Sequence, residues 1–190
     1  MDELSLHILD IAENSIAAGA RTIEISVVED SALDRLSICV VDDGRGVDEH
    51  KLAHLADPFV TSRTTRRAGF GIPFLKAAAQ ACNGDLRVSS APGQGTCLVA
   101  DFQRSHIDRM PLGDLAATVL GLVVSYPGIR WVLRYSVDGR VFDFDSEPIR
   151  QELGDIPLTE PDEAMAEATE RVYRSVIEQH KARRGEGSRR

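Results

Sequence analysis

The stretch HILDIAENSIAAGARTIEISVVE, residues 7–29, decides the fold because it joins a helical repeat directly to a strand repeat. Apolar side chains recur at i, i+4 and i+7 from Leu4 onward, which predicts a helix over residues 3–18 with one apolar face. Gly19 follows the last alanine and is typical of a helix end. Residues 22–29 then alternate apolar and polar side chains, so we expect a strand with one buried face.

The same two periods continue along the chain and predict further elements. Strands are predicted at residues 36–41, 85–90 and 96–102, and helices at residues 48–55 and 72–82. Residues 1–104 therefore predict the order α-β-β-α-loop-α-β-β, which is typical of an α+β fold built as a two-layer α/β sandwich.

A second region follows and has a different pattern. It predicts a helix that ends at Pro127-Gly128, a hairpin with its turn at Asp138-Gly139, and a last amphipathic helix. We therefore expect a domain at residues 1–104, a small α+β extension at 105–183 and a disordered tail at 184–190. The extension either packs on the sandwich or docks a partner, and the pattern leaves both open.

Composition limits the classes of protein to which the chain can belong. Hydrophobic residues make up 43% and charged residues 27%, which is typical of a soluble globular protein and excludes a collagen-like or wholly disordered chain. The net charge of -8 excludes a broad positive surface, so we expect no nucleic-acid partner. The longest apolar run, at residues 115–124, is too short to span a bilayer, and the acidic N-terminus is unlike a signal peptide. We expect a cytoplasmic protein without membrane contact, with Cys39, Cys82 and Cys97 as small core residues.

The first candidate motif is Asp10-x-x-x-Asn14 on the opening helix. At i and i+4 the two side chains share one face, which is not the apolar face of that helix. Mg²⁺ in proteins commonly takes one or two hard oxygen ligands from side chains and the rest from water and phosphate. The alternative is a surface aspartate and an asparagine that finishes a helical turn.

The second motif, Asp42-Asp43-Gly44-Arg45-Gly46, comes directly after a predicted buried strand. Glycines there let the backbone turn sharply and approach a ligand closely. A carboxylate at a strand end can accept a hydrogen bond from an exocyclic amine such as that of adenine. An ordinary glycine-containing β-turn is the alternative.

The third motif is the run RRAGFGI, residues 66–72, at the start of a predicted helix. Glycine-rich backbone at a helix N-terminus presents free N–H groups to a phosphate. Arg63, Arg66 and Arg67 can add positive charge there. A hinge with solvated arginines is the alternative.

The fourth motif, Gly93-Gln94-Gly95-Thr96, lies between the last two strands of residues 1–104. Taken alone it predicts only a hairpin turn.

The order and spacing of these four motifs resemble those of the GHKL family, whose members share the Bergerat ATP-binding fold. The resemblance rests on residues 7–25, VVDDGRGVD at 40–48, DPFVTSRT at 57–64 and the run from AGFG to GQGT at 68–96. It covers residues 1–104 and implies a mixed sheet with helices on one face. The family includes gyrase B subunits, mismatch-repair ATPases, heat-shock chaperones, sensor histidine kinases and anti-sigma-factor kinases.

The resemblance implies ATP and Mg²⁺ as cofactors and a role for each matching residue. Asn14 matches the asparagine that ligates Mg²⁺, and Asp10 stands where ATP-hydrolysing members carry a glutamate that activates water. Asp42 matches the aspartate that binds the adenine amine. The remaining expected nucleotide contacts are Gly44, Gly46, Phe59, Arg63, Arg67, Gly69, Phe70, Gly71 and Thr96.

Two departures from the family pattern bear on activity. Asp10 is one methylene shorter than the usual glutamate, so we expect weaker or altered hydrolysis. Arg67-Ala68 stands where kinase-like members have Gly-Thr before the glycines. The segment that forms the lid over the nucleotide is then stiffer, or Arg67 replaces the lost contact.

The resemblance therefore implies a Mg²⁺-dependent ATP-binding regulatory protein with slow ATPase or phosphotransfer activity. Two alternatives stay open: a kinase like the anti-sigma-factor kinases that acts on a partner, and a nucleotide-sensing adaptor without turnover. A protein partner or a homodimer is expected in each case. The region after residue 104 is similar to the C-terminal part of uncharacterised GHKL proteins of hydrogenase-containing anaerobes.

Overall fold

The computed structural model describes residues 3–48, residue 52 and residues 71–148, and within them it has three helices and six strands. The helices are α1 (Leu4–Ala17), α2 (Gly71–Ala81) and α3 (Leu115–Ser125). The strands are β1 (Thr22–Asp30), β2 (Arg35–Asp42), β3 (Asp85–Ser90), β4 (Thr96–Gln103), β5 (Arg130–Val137) and β6 (Arg140–Asp145). The predicted elements in these ranges are confirmed within about two residues at each end.

Two predicted helices fall mostly or wholly outside the described residues. Of the helix expected at residues 48–55, the structure shows one helical hydrogen bond, from the Leu52 N–H to the Asp48 carbonyl at 2.9 Å. The predicted last amphipathic helix and the tail at 184–190 lie beyond residue 148.

The six strands form one mixed sheet in the order β3-β4-β2-β1-β5-β6. β1 and β5 are parallel, and every other neighbouring pair is antiparallel. The expected mixed sheet is confirmed. The β5–β6 hairpin lies in the region predicted as an extension, and it continues the same sheet from the outer edge of β1.

The hydrophobic core lies between one face of the sheet and the three helices. Alternate residues of each strand point toward the helices, so a period of two along the strands produces one buried face. Trp131 on β5 is 1% exposed and is paired with Ile23 on β1, which is fully buried. The apolar face of α1, with Leu4 and Ile8 fully buried, packs in the middle of this layer between α2 and α3. The expected arrangement of helices on one face is confirmed.

On the opposite face of the sheet, no helix of the described ranges covers the strands. Val28 and Val41 are exposed there, and Cys39 and Cys97 are half-buried diagonal neighbours on β2 and β4. Burial, together with the adjacent Cys97 thiol, raises the pKa of Cys39 to about 11. The prediction of three core cysteines is therefore right only for Cys82, because the other two occupy outward positions of the strand alternation.

The segment before α3 closes the start of α1. No side chain caps this helix; instead the N–H groups of Leu4 and Ser5 donate to the carbonyls of Pro111 and Leu112, at 3.0 and 2.9 Å. At the other end Gly19, with φ of +77°, ends the helix as its sequence predicted. Within the described residues no helix is long and apolar enough to cross a membrane.

Candidate functional site

The helix α1 brings two polar side chains to the edge of the core. Asp10 and Asn14 are both half-buried, one turn apart, on a different side of the helix from Leu4 and Ile8. Within the described part of the chain, neither the Asp10 carboxylate nor the Asn14 amide has a side-chain hydrogen-bond partner. Among the described residues, both groups therefore keep hydrogen-bonding capacity for a ligand.

Asp42, at the end of β2, is held by donors from two directions. Ser15 Oγ on α1 donates to Asp42 Oδ2 at 2.7 Å, and the Gly44 N–H donates to Asp42 Oδ1 at 2.9 Å. Asp42 is 7% exposed, and each of its carboxylate oxygens keeps a further lone pair. The result is an oriented acceptor next to the helix that carries Asn14.

Ser15 is not among the site residues expected from the sequence. It lies four residues after Ile11, where the apolar stripe of α1 would place another apolar side chain, and it is 3% exposed. A buried hydroxyl needs a partner, and a serine in an apolar stripe was the available signal.

The turn after β2 and the turn between β3 and β4 lie against each other. Gly95 has φ of +73°, and a Cβ at this position would overlap the carbonyl of Asp42. Gly46 has φ of +62°, and a Cβ at this position would overlap the carbonyl of Ala91. Side chains at these two positions would force the turns apart, so the glycines allow the turns to form one wall of the site.

Ser90 connects these turns, and Thr96 lies beside Asp42. The Val47 N–H donates to Ser90 Oγ at 2.9 Å, and Ser90 Oγ donates to the Gly95 carbonyl at 2.7 Å. Thr96 pairs with Asp42 across β2 and β4, and its hydroxyl lies 3.2 Å from Ser90 Oγ. Ser90 is a second residue that the sequence analysis did not identify.

The second aspartate of the turn, Asp43, has a different role. Its Oδ1 accepts the N–H groups of Arg21 and Thr22 at 2.6 and 2.9 Å. Burial opposes ionisation of Asp43, but these backbone donors lower its pKa below the ordinary value. Asp43 therefore holds the start of β1 and leaves Asp42 as the carboxylate that faces the site.

The start of α2 lies directly against Asp10. A Cβ at Gly71 would be 2.9 Å from Asp10 Cβ and 3.1 Å from Asp10 Oδ2, so only glycine allows this contact. The first N–H groups of an α-helix have no partner within the helix and carry partial positive charge. Gly71 belongs to the glycine run at which the sequence predicts a helix start, so Asp10 lies at the end of α2 where we expect an anion to bind.

The structure brings together seven of the expected site residues: Asp10, Asn14, Asp42, Gly44, Gly46, Gly71 and Thr96. The other five expected residues lie outside the described residues: Phe59, Arg63, Arg67, Gly69 and Phe70.

A one-sided helical layer on a mixed sheet, with polar groups on its central helix facing two glycine turns, defines a domain of the GHKL class. Residues 2–106 match the family model of the histidine kinase-, DNA gyrase B- and HSP90-like ATPases, and the chain belongs to this family. It therefore carries an ATPase-type domain of the histidine kinase group, in which ATP binding is the common property.

Several curated proteins are similar over the same region. The sensor protein kinase FleS of Pseudomonas aeruginosa is 38% identical over 96 residues, which cover 50% of this chain and 24% of FleS. The non-motile and phage-resistance protein of Caulobacter vibrioides is 30% identical over 119 residues, which cover 58% of this chain and 14% of that protein. The chain thus matches no more than a quarter of the length of either relative.

A solved structure, the N-terminal domain of a DNA repair protein, has the same fold. Its TM-score is 0.56 at 16% sequence identity, and the match covers 75% of this chain and 52% of that chain.

Proposed function

We propose that this chain is a regulatory protein that binds ATP with Mg²⁺ and hydrolyses it slowly. One observation supports the proposal: α1 contacts two separate segments of the chain. Ser15 donates a hydrogen bond to Asp42. Asp10, little more than one turn earlier on the helix, lies against Gly71. A single rigid helix therefore connects an oriented carboxylate with Gly71, in the glycine run that the sequence predicts to open α2. These are the groups that an adenine amine and a polyphosphate require.

Asp42 fits the adenine end. Its two oxygens are oriented by Ser15 and Gly44 and retain lone pairs for an amine donor. Guanine presents a carbonyl oxygen at the corresponding position of the ring, and that oxygen would repel a carboxylate. The site therefore favours ATP over GTP.

Asn14 fits a magnesium ligand. Asn14 is half-buried, its amide has no side-chain partner within the described residues, and it follows Asp10 by one turn. Mg²⁺ is usually held by one or two protein oxygens together with substrate phosphates and water. The single amide oxygen of Asn14 is enough for the protein's share of these ligands. When bound, the ion would neutralise charge that develops on the phosphates.

Asp10 fits a general base for hydrolysis. Its carboxylate lies against the first residue of α2 and can accept the proton of a water that attacks the terminal phosphoryl group. The products are ADP and inorganic phosphate, with the water proton on Asp10. Because aspartate reaches less far than glutamate, turnover is slow and suits a switch that reports nucleotide state to a protein partner or to a second copy.

A second candidate function is phosphoryl transfer to a side chain of a partner protein. FleS, which is 38% identical over the matched region, is named a sensor protein kinase. The same site would then deliver the terminal phosphoryl group to that side chain instead of to water.

Calorimetric titration of the folded chain with ATP and GTP, with and without Mg²⁺, tests the binding site. We expect Asp42→Asn to lower the affinity for ATP at least tenfold. Asn14→Ala should remove the gain in ATP affinity that Mg²⁺ gives. Glu13→Gln is the matched control, because Glu13 is exposed on the same helix. Equal affinity of wild type and Asp42→Asn for ATP would contradict the proposal.

Labelled ATP separates hydrolysis from transfer. Wild type and Glu13→Gln should release phosphate, and Asp10→Asn should not, while all three bind ATP alike. ATP binding without phosphate release would reject the hydrolytic assignment of Asp10 and leave transfer to a partner as the function to test.

A further inference from the structure

Three polar groups contact the Ser90 hydroxyl, at the wall that the two glycine turns form. Ser90 Oγ lies 2.7 Å from the Gly95 carbonyl oxygen, 2.9 Å from the Val47 amide nitrogen and 3.2 Å from Thr96 Oγ1. A serine hydroxyl has one proton to donate and two lone pairs with which to accept. These three contacts therefore use every hydrogen-bonding position of the Ser90 hydroxyl.

The partners of Ser90 determine the direction of each hydrogen bond. A carbonyl oxygen can only accept, so the short contact with Gly95 requires the Ser90 proton to point there. An amide N–H can only donate, so Val47 occupies one lone pair of Ser90 Oγ. The other lone pair faces Thr96, and the Thr96 hydroxyl must supply the proton, because two lone pairs that face each other at 3.2 Å would repel.

The direction of the Thr96 hydroxyl decides what Thr96 offers to a ligand. With its one proton directed to Ser90, Thr96 Oγ1 has only lone pairs left for other groups. Thr96 is directly opposite Asp42 in the β2–β4 pairing, so the two side chains are on the same face of the sheet. The Asp42 carboxylate is also an acceptor, since it receives hydrogen bonds from Ser15 and Gly44. Two acceptors therefore lie side by side at this end of the site.

We propose that Ser90 is a positioning residue for base selectivity, which holds the Thr96 hydroxyl as an acceptor so that the site binds 6-aminopurine nucleotides and rejects 6-oxopurine nucleotides. This inference rests on the proposed function, because it concerns the same nucleotide. It adds a second determinant of base choice to Asp42. The hydroxyl of Ser90 is fully used by its three contacts, so Ser90 acts on the base through Thr96.

Inosine triphosphate (ITP) is the probe for this selectivity. It has a carbonyl oxygen where ATP has an amino group and a proton on the adjacent ring nitrogen, while its sugar and phosphates are the same. In the wild type that carbonyl would face the lone pairs of Asp42 and Thr96. We therefore expect ITP to bind more weakly than ATP by roughly tenfold or more.

Ser90→Ala tests the proposal, because it releases the Thr96 proton, which can then turn and donate to the carbonyl of ITP. The ratio of ATP affinity to ITP affinity should fall roughly two- to tenfold, the effect of one hydrogen bond. Ser90→Thr keeps the hydroxyl and should retain the wild-type ratio. Ser89→Ala is the matched control and should also retain it, because Ser89 is exposed on the opposite face of the same strand.

A double substitution separates this role from a general effect on the turns. Thr96→Val has a side chain of nearly the same shape without the hydroxyl, so Ser90 has no threonine proton to direct in this variant. Adding Ser90→Ala to Thr96→Val should leave the ratio of ATP to ITP affinity unchanged, even where both affinities fall because the turns loosen. A change of the ratio that is equal with and without the Thr96 hydroxyl would overturn the proposal while leaving ATP binding intact.

Exchange of the Thr96 hydroxyl proton tests the same inference without nucleotide. In an equal mixture of light and heavy water, the Thr96 Cβ carbon gives separate NMR signals when its hydroxyl exchanges slowly and an averaged signal when exchange is fast. We expect separate signals in the wild type and in Ser89→Ala, because Ser90 holds the proton, and an averaged signal in Ser90→Ala. An averaged signal in the wild type would reject the role of Ser90 even if ATP bound. Failure of the wild type to bind ATP would instead reject the proposed function, whatever the hydroxyl proton does, and the base selectivity with it.

Discussion

The hydrogen bond from Ser15 to Asp42 joins α1 to the end of β2 inside the core. At 2.7 Å it is a short bond from a hydroxyl to a carboxylate, and both residues are buried. The carboxylate would otherwise be free to rotate about its last bond and could present either oxygen to the site. Ser15 and the Gly44 N–H together restrict it to one orientation.

Replacing Ser15 with alanine should therefore weaken nucleotide binding without removing the carboxylate. Loss of one such donor costs about 1–2 kcal/mol, so we expect the affinity for ATP to fall roughly five- to thirtyfold. The preference for ATP over GTP should fall as well, because an unrestrained Asp42 selects the base less strictly. Titration calorimetry with both nucleotides measures these effects.

Ser37→Ala is the matched control for this substitution. Ser37 Oγ donates to Asp101 Oδ1 at 2.6 Å on the opposite face of the sheet, so the variant loses a hydroxyl-to-carboxylate bond of the same kind away from the site. Its affinity for ATP should equal that of the wild type. An equal loss of affinity in the two variants would show that Ser15 acts only through stability.

At the scale of elements, the parallel pair of β1 and β5 unites the two regions that the sequence separates. The edge of β1 is paired with β5 along all but its last residue, from Thr22 opposite Arg130 to Glu29 opposite Val137. Trp131 fills the core beside Ile23 at the start of this pair. The hairpin therefore shares the core of the site-bearing sheet.

Trp131→Ala should destabilise the whole described domain. Removing a fully buried aromatic ring costs about 3–5 kcal/mol, and because β5 pairs with β1 the loss should appear in one cooperative unfolding transition. Urea unfolding followed by far-ultraviolet circular dichroism measures it. Val141→Ala on β6, where the side chain is 47% exposed, should change stability by less than about 0.5 kcal/mol. A separate early transition in Trp131→Ala would instead show that the hairpin unfolds independently.

Local periodicity predicted the described elements well, because buried faces repeat every second residue in β1 and along one side of α1. The β5–β6 hairpin was likewise predicted from its Asp138-Gly139 turn. The pairing of β5 with β1 could not be predicted from these patterns, because the choice of a partner strand depends on tertiary packing. The roles of Ser15 and Ser90 were missed for the same reason, since each depends on contacts between distant segments.

At the scale of the whole molecule, the free energy of unfolding depends on pH through groups whose pKa differs between the folded and unfolded states. Asp101 is the clearest example of such a carboxylate. Burial raises its pKa, but hydrogen bonds from Ser37, Arg35 and Arg87 outweigh burial and hold the pKa below 3.8. A carboxyl with a lowered pKa in the folded state stabilises the fold above its ordinary pKa, and that stability is lost as the pH falls. Because Arg35 and Arg87 are 51% and 70% exposed, solvent screening limits the contribution to less than about 1 kcal/mol.

His7 is a base rather than an acid, but its ionisation also reduces the stability of the fold as the pH falls. Burial lowers its pKa below 6.5, so the unfolded chain binds the proton more readily than the folded chain once the pH falls to that value. The free energy of unfolding should therefore decline first below pH 6.5, by at most about 1.4 kcal/mol per pH unit, and again below pH 3.8 as the carboxyls protonate. Urea midpoints at pH 7.5, 5.5 and 3.5 measure both steps.

His7→Gln should remove the first step and keep the second, whereas Asp101→Asn should reduce only the second. A wild-type midpoint that is unchanged between pH 7.5 and 5.5 would contradict the lowered pKa of His7, because a histidine whose pKa is lower in the folded state must reduce stability as the pH falls through its ordinary value.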